Sequence, residues 1–304
     1  MTVSRNMRGG PQYLDLQKIA LKFGRPLQEF LQIHVLESFV DRLSRSPQRE
    51  SFVLKGGALL PAYTSRRPTR DVDLQALSMS RERDELTKRI ASIINFRADD
   101  GVTFDPTSIQ SSVIREDGAY SGVRFSMNAQ IATARIRLHL DVSFGDPIVP
   151  EPRAIELPRL IGDSILVLGY PLEMVLSEKI VTALTRGVTN TRWRDFVDVV
   201  GITRRNFIDG STLVGSVNRV SEHRQVEREP LDHVLDEFGK IGQSRWLQWR
   251  EKLLLADFVP ESFDVVVREF IHFAGPVVIG SAAGKQWSPL SREWETGRGP
   301  SRRD

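Results

Sequence analysis

A glycine pair between an apolar run and an Asp-x-Asp motif constrains this chain more than any other feature. Residues 52–75 read FVLKGGALLPAYTSRRPTRDVDLQ. The run FVL is typical of a buried strand, Gly56 and Gly57 predict a turn into a short helix, and DVDLQAL predicts a second strand. Because residues two apart in a strand share one face, Asp71 and Asp73 present their carboxylates side by side, about 7 Å apart along the strand.

Two carboxylates on one face suit a hard divalent cation. Mg²⁺ takes oxygen ligands and leaves coordination positions for nucleotide phosphates, so we expect Asp71 and Asp73 to hold Mg²⁺ on a nucleoside triphosphate. Gly56 and Gly57 leave backbone N–H groups accessible to a phosphate. The segment is not a P-loop, because Lys55 precedes the glycines and Gly-Lys-Ser/Thr is missing. The structural alternatives are a solvated Asp-x-Asp and an ordinary strand-to-helix turn.

Composition excludes several classes of protein. The chain has 304 residues, of which 40% are hydrophobic, as expected for one large globular domain or two ordinary ones. It has no cysteine, which excludes disulfides, thiolate metal sites and a cysteine nucleophile and favours a cytoplasmic location. No segment is long and apolar enough to predict a membrane span. Arginines cluster in TSRRPTRD, TRGVTNTRWRD and ITRRNF, which indicates phosphate binding or, alternatively, a solvated surface.

The pattern of secondary structure changes in the middle of the chain. Residues 1–160 combine helical periodicity with alternating strand-like segments, which predicts an α/β (α+β) domain with a mixed sheet. A segment rich in Pro and Gly follows, and residues 161–304 predict a helical domain that ends in a polar tail. We expect Trp287 and Trp294 in this tail to pack back onto the body of the protein.

The helical half adds charged candidates. Lys179 falls on or beside the apolar stripe of the helix that follows Pro171, and Arg186 lies two turns further on. A lysine there either binds nucleotide phosphates or extends its stem to solvent. In the next predicted helix Asp195 and Asp198 lie three residues apart, which suits an ion pair within the helix or the positioning of a neighbouring Lys or Arg.

A polar strand face supplies a possible third carboxylate. In ARIRLHLDVSF, residues 134–144, Asp141 shares a face with His139 and Arg137. Three carboxylates around a metal would permit general-base activation of an attacking hydroxyl. His139 is an alternative base, although a single strand histidine is more often simply packed.

These motifs together resemble a known family. FVLKGGALL, RPTRDVDL, LHLDVSFGDP, YPLEMVLSEKIVTALTRG and TRWRDFVDV occur in the order found in the AbiEii/AbiGii toxin family of nucleotidyltransferases, and most closely in its mycobacterial MenT branch. The resemblance spans roughly Leu27 to Arg205. It implies a polymerase-β-like nucleotidyltransferase sheet with a helical C-terminal lobe, and Mg²⁺-dependent transfer of a nucleoside monophosphate from an NTP.

The resemblance also assigns roles to residues. Gly56 and Gly57 would form the phosphate loop, Asp71 and Asp73 would bind the metal, Lys179 would contact the triphosphate, and Asp195 would complete the site. Thr69 stands where the MenT branch keeps a hydroxyl near the nucleotide, and is a candidate for silencing modification. Arg186 is a further candidate for nucleotide binding. The wider superfamily commonly has Gly-Ser where this chain has Gly-Gly, so backbone donors must replace one hydroxyl contact.

The implied partners are tRNA, an NTP that is often a pyrimidine nucleotide, and a cognate antitoxin. The resemblance predicts a toxin that extends the 3′ end of tRNA and so blocks aminoacylation and translation. One alternative is a nucleotidyltransferase that modifies a small molecule or a protein, although an enzyme for a polyamine drug would need an acidic pocket. The other is a non-catalytic binding protein of the same fold, which would not need all of these motifs.

Overall fold

The computed structural model describes residues 3–116, 119–253 and 259–296. Contacts divide the chain into two compact units. The first comprises Met1–Ala62, Arg66–Asp146 and Pro152–Tyr170, and the second comprises Tyr63–Ser65, Pro147–Glu151 and Pro171–Asp304. The main change of unit therefore falls between Tyr170 and Pro171, whereas the sequence predicts a boundary near residue 160.

Within the described residues, the first unit is built on a seven-stranded mixed sheet. Its strands are β1 (Phe52–Lys55), β2 (Asp71–Ala76), β3 (Val102–Glu116), β4 (Ala119–Ile131), β5 (Ala134–Phe144), β6 (Arg153–Leu157) and β7 (Ile165–Gly169). The order across the sheet is β3-β4-β5-β2-β1-β7-β6. Strand β2 is parallel to β5 and antiparallel to β1, and β1 is parallel to β7. Strand β2, which carries Asp71 and Asp73, is therefore the central strand of the sheet.

Helices cover the apolar face of this sheet. They are α1 (Gly10–Phe23), α2 (Leu27–Arg45), the short α3 (Gly56–Leu59), which continues into a 3-10 turn over Leu60–Ala62, and α4 (Arg83–Ile94). In β5, Ile136, Leu138, Leu140 and Val142 are buried, whereas the residues between them are half-buried or exposed. The alternation expected for this strand is confirmed, and the opposite face of β5 is polar.

Apolar residues recur at helical spacing between Leu27 and Leu43, which predicts an amphipathic helix, and the structure buries more of α2 than that pattern implies. His34, Glu37, Asp41 and Arg42 all lie in the interior. Arg42 forms a two-pronged ion pair with Asp100, and His34 contacts the Asp100 carbonyl oxygen at 2.9 Å. Burial lowers the pKa of His34, so this side chain is neutral in the folded protein at neutral pH.

The second unit is mainly helical. Its helices are α5 (Leu172–Arg186), α6 (Trp193–Thr203), α7 (Gly210–Arg224), the short α8 (Leu231–Val234), α9 (Phe238–Lys252) and α10 (Phe263–Val278), with a 3-10 turn over Gly187–Thr189. Aromatic rings form much of the core between α6, α9 and α10. The Phe263 ring lies 5.0 Å from Trp193, 5.0 Å from Phe238 and 4.8 Å from Trp246, centre to centre.

A small sheet ends the second unit. Strands β8 (Ile208–Asp209), β9 (Lys285–Ser288) and β10 (Glu293–Thr296) pair in the order β10-β9-β8. The indole N–H of Trp287 donates to the Thr203 carbonyl at 2.8 Å, and that of Trp294 donates to the Phe273 carbonyl at 3.0 Å. The packing expected for the late tryptophans is confirmed. The rest of the predicted polar tail, residues 297–304, lies outside the described residues.

The expected fold class, a mixed α/β sheet followed by a helical half, is confirmed. A search of the described helices for one long and apolar enough to cross a membrane finds none.

Candidate active site

Gly56 and Asp73 meet at the end of β1. The antiparallel register of β1 and β2 pairs Lys55 with Asp73, so Gly56, the next residue after β1, lies beside the aspartate. Gly56 has φ +64°, a conformation that favours glycine. A Cβ atom at Gly56 would lie 1.9 Å from Asp73 Oδ2. The absence of a side chain at Gly56 therefore makes room for the Asp73 carboxylate. The glycine turn and the Asp-x-Asp motif are in direct contact through these two residues.

We expect Gly56→Ala to lower nucleotide-dependent activity by about 100-fold, because the added methyl group would displace the Asp73 carboxylate. An alanine in the left-handed backbone conformation of position 56 would also cost about 1 to 2 kcal/mol of folding free energy. Gly24→Ala is the matched control, since Gly24 has φ +60° and no atom lies within 4 Å of the position that its Cβ would take. Gly24→Ala should show only the cost of the left-handed backbone in urea denaturation, with unchanged activity. Equal activities of the two variants would contradict the steric argument.

The second glycine approaches Thr69. A Cβ atom at Gly57 would lie 2.6 Å from Thr69 Oγ1. Glycine at position 57 therefore lets the Thr69 hydroxyl approach the backbone of the turn. The segment before Thr69 is tied down by Arg66, which lies 2.7 Å from the buried Glu37 carboxylate and donates to the Pro158 carbonyl at 2.6 Å. Two of the residues predicted to bind nucleotide, Gly57 and Thr69, are therefore brought together. Glu37 is not among the residues that the sequence motifs predict.

The polar face of the sheet continues from β2 onto β5 and β4. Asp71 pairs in register with His139, and Asp73 pairs with Asp141. Asp141 in turn pairs with Arg124 on β4, whose guanidinium donates to both Asp141 carboxylate oxygens at 2.7 and 2.6 Å. These hydrogen bonds, together with the charges of Asp141, Asp71 and Asp73, raise the pKa of Arg124. The guanidinium thus lies within electrostatic reach of all three aspartates.

Arg124 was missed by the sequence analysis, although the alternation in GVRFSMNAQI placed it on a polar strand face. Both oxygens of the possible third carboxylate, Asp141, are held by this arginine. Among the residues that the structure describes, no group of three or more His, Cys, Asp or Glu side chains is arranged to hold a metal ion. A cation at this site would therefore have Asp71 and Asp73 as its protein ligands.

The Asp71–Asp73 pair fits a hard cation in its chemistry. Both side chains supply carboxylate oxygens from one face of one strand and are partly accessible to solvent. Gly56 leaves the side of Asp73 unobstructed by a Cβ atom. Mg²⁺ is commonly bound by one or two carboxylates, with the remaining positions taken by water and substrate phosphates.

In the second unit, Lys179 is held by two aspartates of the next helix. Its ammonium nitrogen lies 2.5 Å from Asp195 Oδ1 and 2.8 Å from Asp198 Oδ2. The Asp198 side chain is buried, whereas those of Lys179 and Asp195 are 11% and 17% exposed. Asp195 and Asp198 can bind one cation because they lie on the same face of α6. The inward orientation expected for Lys179 is therefore present, with its charge balanced by carboxylates.

Other predicted cations occupy different environments. Arg186 is exposed at the end of α5, about 10 Å along the helix from Lys179 and on nearly the same side. Arg204, from the cluster ITRRNF, forms a two-pronged ion pair with Glu269 at 2.7 and 2.6 Å, and Arg66 binds Glu37. At least these two members of the arginine clusters have structural partners.

Comparison with known proteins identifies the family. The family model described as "Nucleotidyl transferase AbiEii toxin, Type IV TA system" matches residues 38–269, which is more than half of the chain. No curated protein matches the sequence.

Two solved structures share the fold. MenT4, a nucleotidyltransferase toxin from Mycobacterium tuberculosis H37Rv, is 19% identical with a TM-score of 0.53, over 86% of this chain and 88% of that one. JHP933 from Helicobacter pylori is 15% identical with a TM-score of 0.51, over 92% of this chain and 97% of that one. The chain therefore belongs to the AbiEii family of nucleotidyltransferase toxins of type IV toxin–antitoxin systems, enzymes that use a nucleotide substrate and have an antitoxin partner.

Proposed function

We propose that this enzyme transfers a nucleoside monophosphate from an NTP to the 3′ end of tRNA in a Mg²⁺-dependent reaction, and so blocks aminoacylation and translation. The observation that supports it best is the contact between Asp73 and Gly56, which joins two carboxylates to a glycine turn at one strand end. Carboxylates, an accessible backbone and a bound triphosphate are the parts that phosphoryl-type transfer requires. A pyrimidine NTP and a cytoplasmic location belong to the same proposal.

Each candidate residue has a part in this reaction. Asp71 and Asp73 would hold Mg²⁺, which, when bound, neutralises charge on the triphosphate. Gly56, Gly57 and Thr69 would contact the phosphates through backbone N–H groups and one hydroxyl. The RNA 3′-hydroxyl oxygen attacks the α-phosphorus, the bond to the β-phosphate oxygen breaks, and pyrophosphate leaves. A carboxylate oxygen of the aspartate pair accepts the hydroxyl proton.

Lys179 and Asp195 complete the set of catalytic candidates, with Arg186 as a further contact to the nucleotide. The two aspartates around Lys179 fix the direction of its ammonium group, so that it can donate to a phosphate oxygen without a large loss of side-chain entropy. Their role is to position the lysine and to balance its charge before the substrate binds.

The experiment is to incubate the purified protein with Mg²⁺, total tRNA and each α-labelled NTP in turn. We expect label on tRNA, with preference for a pyrimidine NTP. Because the 3′-hydroxyl is the attacking group, no label should appear on tRNA whose terminal ribose has been oxidised by periodate. EDTA should also abolish labelling, and excess Mg²⁺ should restore it. Label found only on protein or on small molecules, or no incorporation with any NTP, would contradict the proposal.

A further inference from the structure

A second arginine lies on the same polar sheet face as the aspartates, and its environment is unusual. The Arg137 guanidinium on β5 donates to Asn128 Oδ1 at 2.9 Å, to Ser126 Oγ at 2.7 Å and to Gln110 Oε1 at 2.6 Å. These acceptors come from β4 and β3. All three are uncharged, so the hydrogen bonds orient the guanidinium without neutralising it.

Arg137 differs from Arg124 in the charge of its hydrogen-bond partners. Arg124 is neutralised by both oxygens of Asp141, whereas in the described part of the chain Arg137 has no carboxylate within ion-pair distance. Its side chain is only half-buried. An arginine that is held rigid, keeps its charge and faces solvent is suited to bind an anion such as a phosphate, because its fork is already oriented.

The strand register places this cation at a useful distance from the aspartates. Asp71 pairs with His139, and Arg137 is the next residue of β5 on the same face. From the strand repeat and the spacing between strands, the backbone positions of Arg137 and Asp71 are separated by roughly 8 Å. A chain that ends at the aspartates and runs along β5 would therefore pass His139 and reach Arg137 within its last few linkages.

The chemistry of the face indicates which part of a polynucleotide it would contact. From Gly122 to Gln130 of β4 and from Arg135 to Ser143 of β5, the side chains on this face are short polar groups, arginines and His139, and no Phe, Tyr or Trp lies among these face positions. Bases of single strands are commonly bound by stacking on such rings, whereas Arg, Ser, Asn and Gln are typical contacts of phosphate and ribose. The face would thus bind the backbone of the acceptor whatever its terminal bases.

We infer that Arg137, with Ser126, Asn128 and Gln110 as its positioning residues, binds a phosphodiester near the 3′ end of the acceptor RNA. This inference rests on the proposed transfer to an RNA 3′ end. It extends that proposal by assigning the acceptor strand to the polar face of β5 and β4, next to the aspartates. The partner is recognised by its charged backbone, so the contact should be tolerant of sequence.

The test compares three variants of the full-length chain. Arg137→Gln removes the charge, Arg137→Lys keeps the charge without the fork, and Arg153→Gln removes an exposed arginine from β6 at the other edge of the sheet. Binding of 5′-labelled tRNA is measured by fluorescence anisotropy without NTP over a range of salt concentrations. Steady-state transfer then yields separate KM values for tRNA and NTP.

We expect Arg137→Gln to weaken tRNA binding roughly tenfold, to lower the salt dependence by about one unit of slope, and to leave the KM for NTP within about twofold. Arg137→Lys should be intermediate, and Arg153→Gln should resemble the wild type. A tRNA whose individual 3′-terminal linkages are replaced by neutral methylphosphonates identifies the contact. Neutralising the linkage that Arg137 binds should weaken binding of the wild type but cause no further loss in Arg137→Gln.

The outcomes separate the two proposals. If the wild type transfers no nucleotide to RNA, the proposed function fails and the inference fails with it. If the wild type extends tRNA but Arg137→Gln and Arg153→Gln behave alike, only the acceptor-face inference is overturned. The same holds if every methylphosphonate lowers affinity equally in the wild type and in Arg137→Gln, or if the loss appears in the KM for NTP.

Discussion

Asp73→Asn is expected to lower nucleotidyl transfer by about 1,000-fold while leaving the fold intact. The substitution keeps the size of the side chain beside Gly56 but removes a negative charge from the proposed cation site. Binding of Mn²⁺ with a non-hydrolysable NTP analogue, followed by electron paramagnetic resonance, should weaken in parallel. This second readout measures the cation site directly and does not depend on which acceptor is used.

Asp163→Asn serves as the control for this variant, since Asp163 is exposed in the same unit and its substitution removes the same charge. It should have wild-type activity and wild-type Mn²⁺ binding. Thermal unfolding checks that both proteins are folded. Retention of transfer by Asp73→Asn, or loss of transfer with unchanged Mn²⁺ binding, would exclude the role that we assign to this carboxylate.

Asp100→Asn is expected to destabilise the protein by about 3 to 5 kcal/mol, because it leaves the buried Arg42 guanidinium without its counter-charge. Arg42 also donates to the carbonyl oxygens of Ser38 and Val102 at 2.9 and 3.1 Å, so it is fixed in the interior and cannot reach water. The free energy of unfolding is measured in urea at neutral pH. Asp99→Asn, at the exposed neighbouring position, should change it by less than about 0.5 kcal/mol.

The pH dependence of this effect follows from the direction of the pKa shift. Burial alone would raise the pKa of Asp100, but hydrogen bonds and charge from Arg42 outweigh burial and hold the pKa below its usual value. Folding therefore favours the charged carboxylate, whose contribution is present above the usual carboxyl pKa and is lost as pH falls through the lowered one. The difference in unfolding free energy between wild type and Asp100→Asn should narrow below about pH 4. A difference independent of pH would contradict an ionic origin.

Much of the fold was predictable because its signals are local. The helix predicted to begin at Leu27, the strands on either side of the glycine pair and the alternation in β5 all depend on residues close together in the chain. Sheet order was not predictable, since β2 lies between β1 and β5 and the choice of neighbours is made by contacts across long sequence separations. The buried polar side chains of α2 were missed for the same reason, because partners such as Asp100 for Arg42 and Arg66 for Glu37 come from distant segments.

The candidate site divides in a similar way. The pairing of Asp71 with Asp73 follows from the two-residue repeat of a strand, and the inward direction of Lys179 follows from helical periodicity. Three contacts depend on which strands and helices are neighbours in the fold: the ion pair of Arg124 with Asp141, that of Lys179 with two aspartates, and the hydrogen bonds of Arg137 to neutral acceptors. The spacing of residues within one segment does not predict these contacts.

By itself the sequence determined the residue types and the face of each element on which they lie, because backbone geometry repeats every two residues in a strand and every 3.6 in a helix. Only the tertiary structure decided which charges are neutralised and which remain available to a substrate. The physical reason is that an ion pair requires two side chains a few ångströms apart, and strand register and helix packing, rather than local periodicity, set that distance.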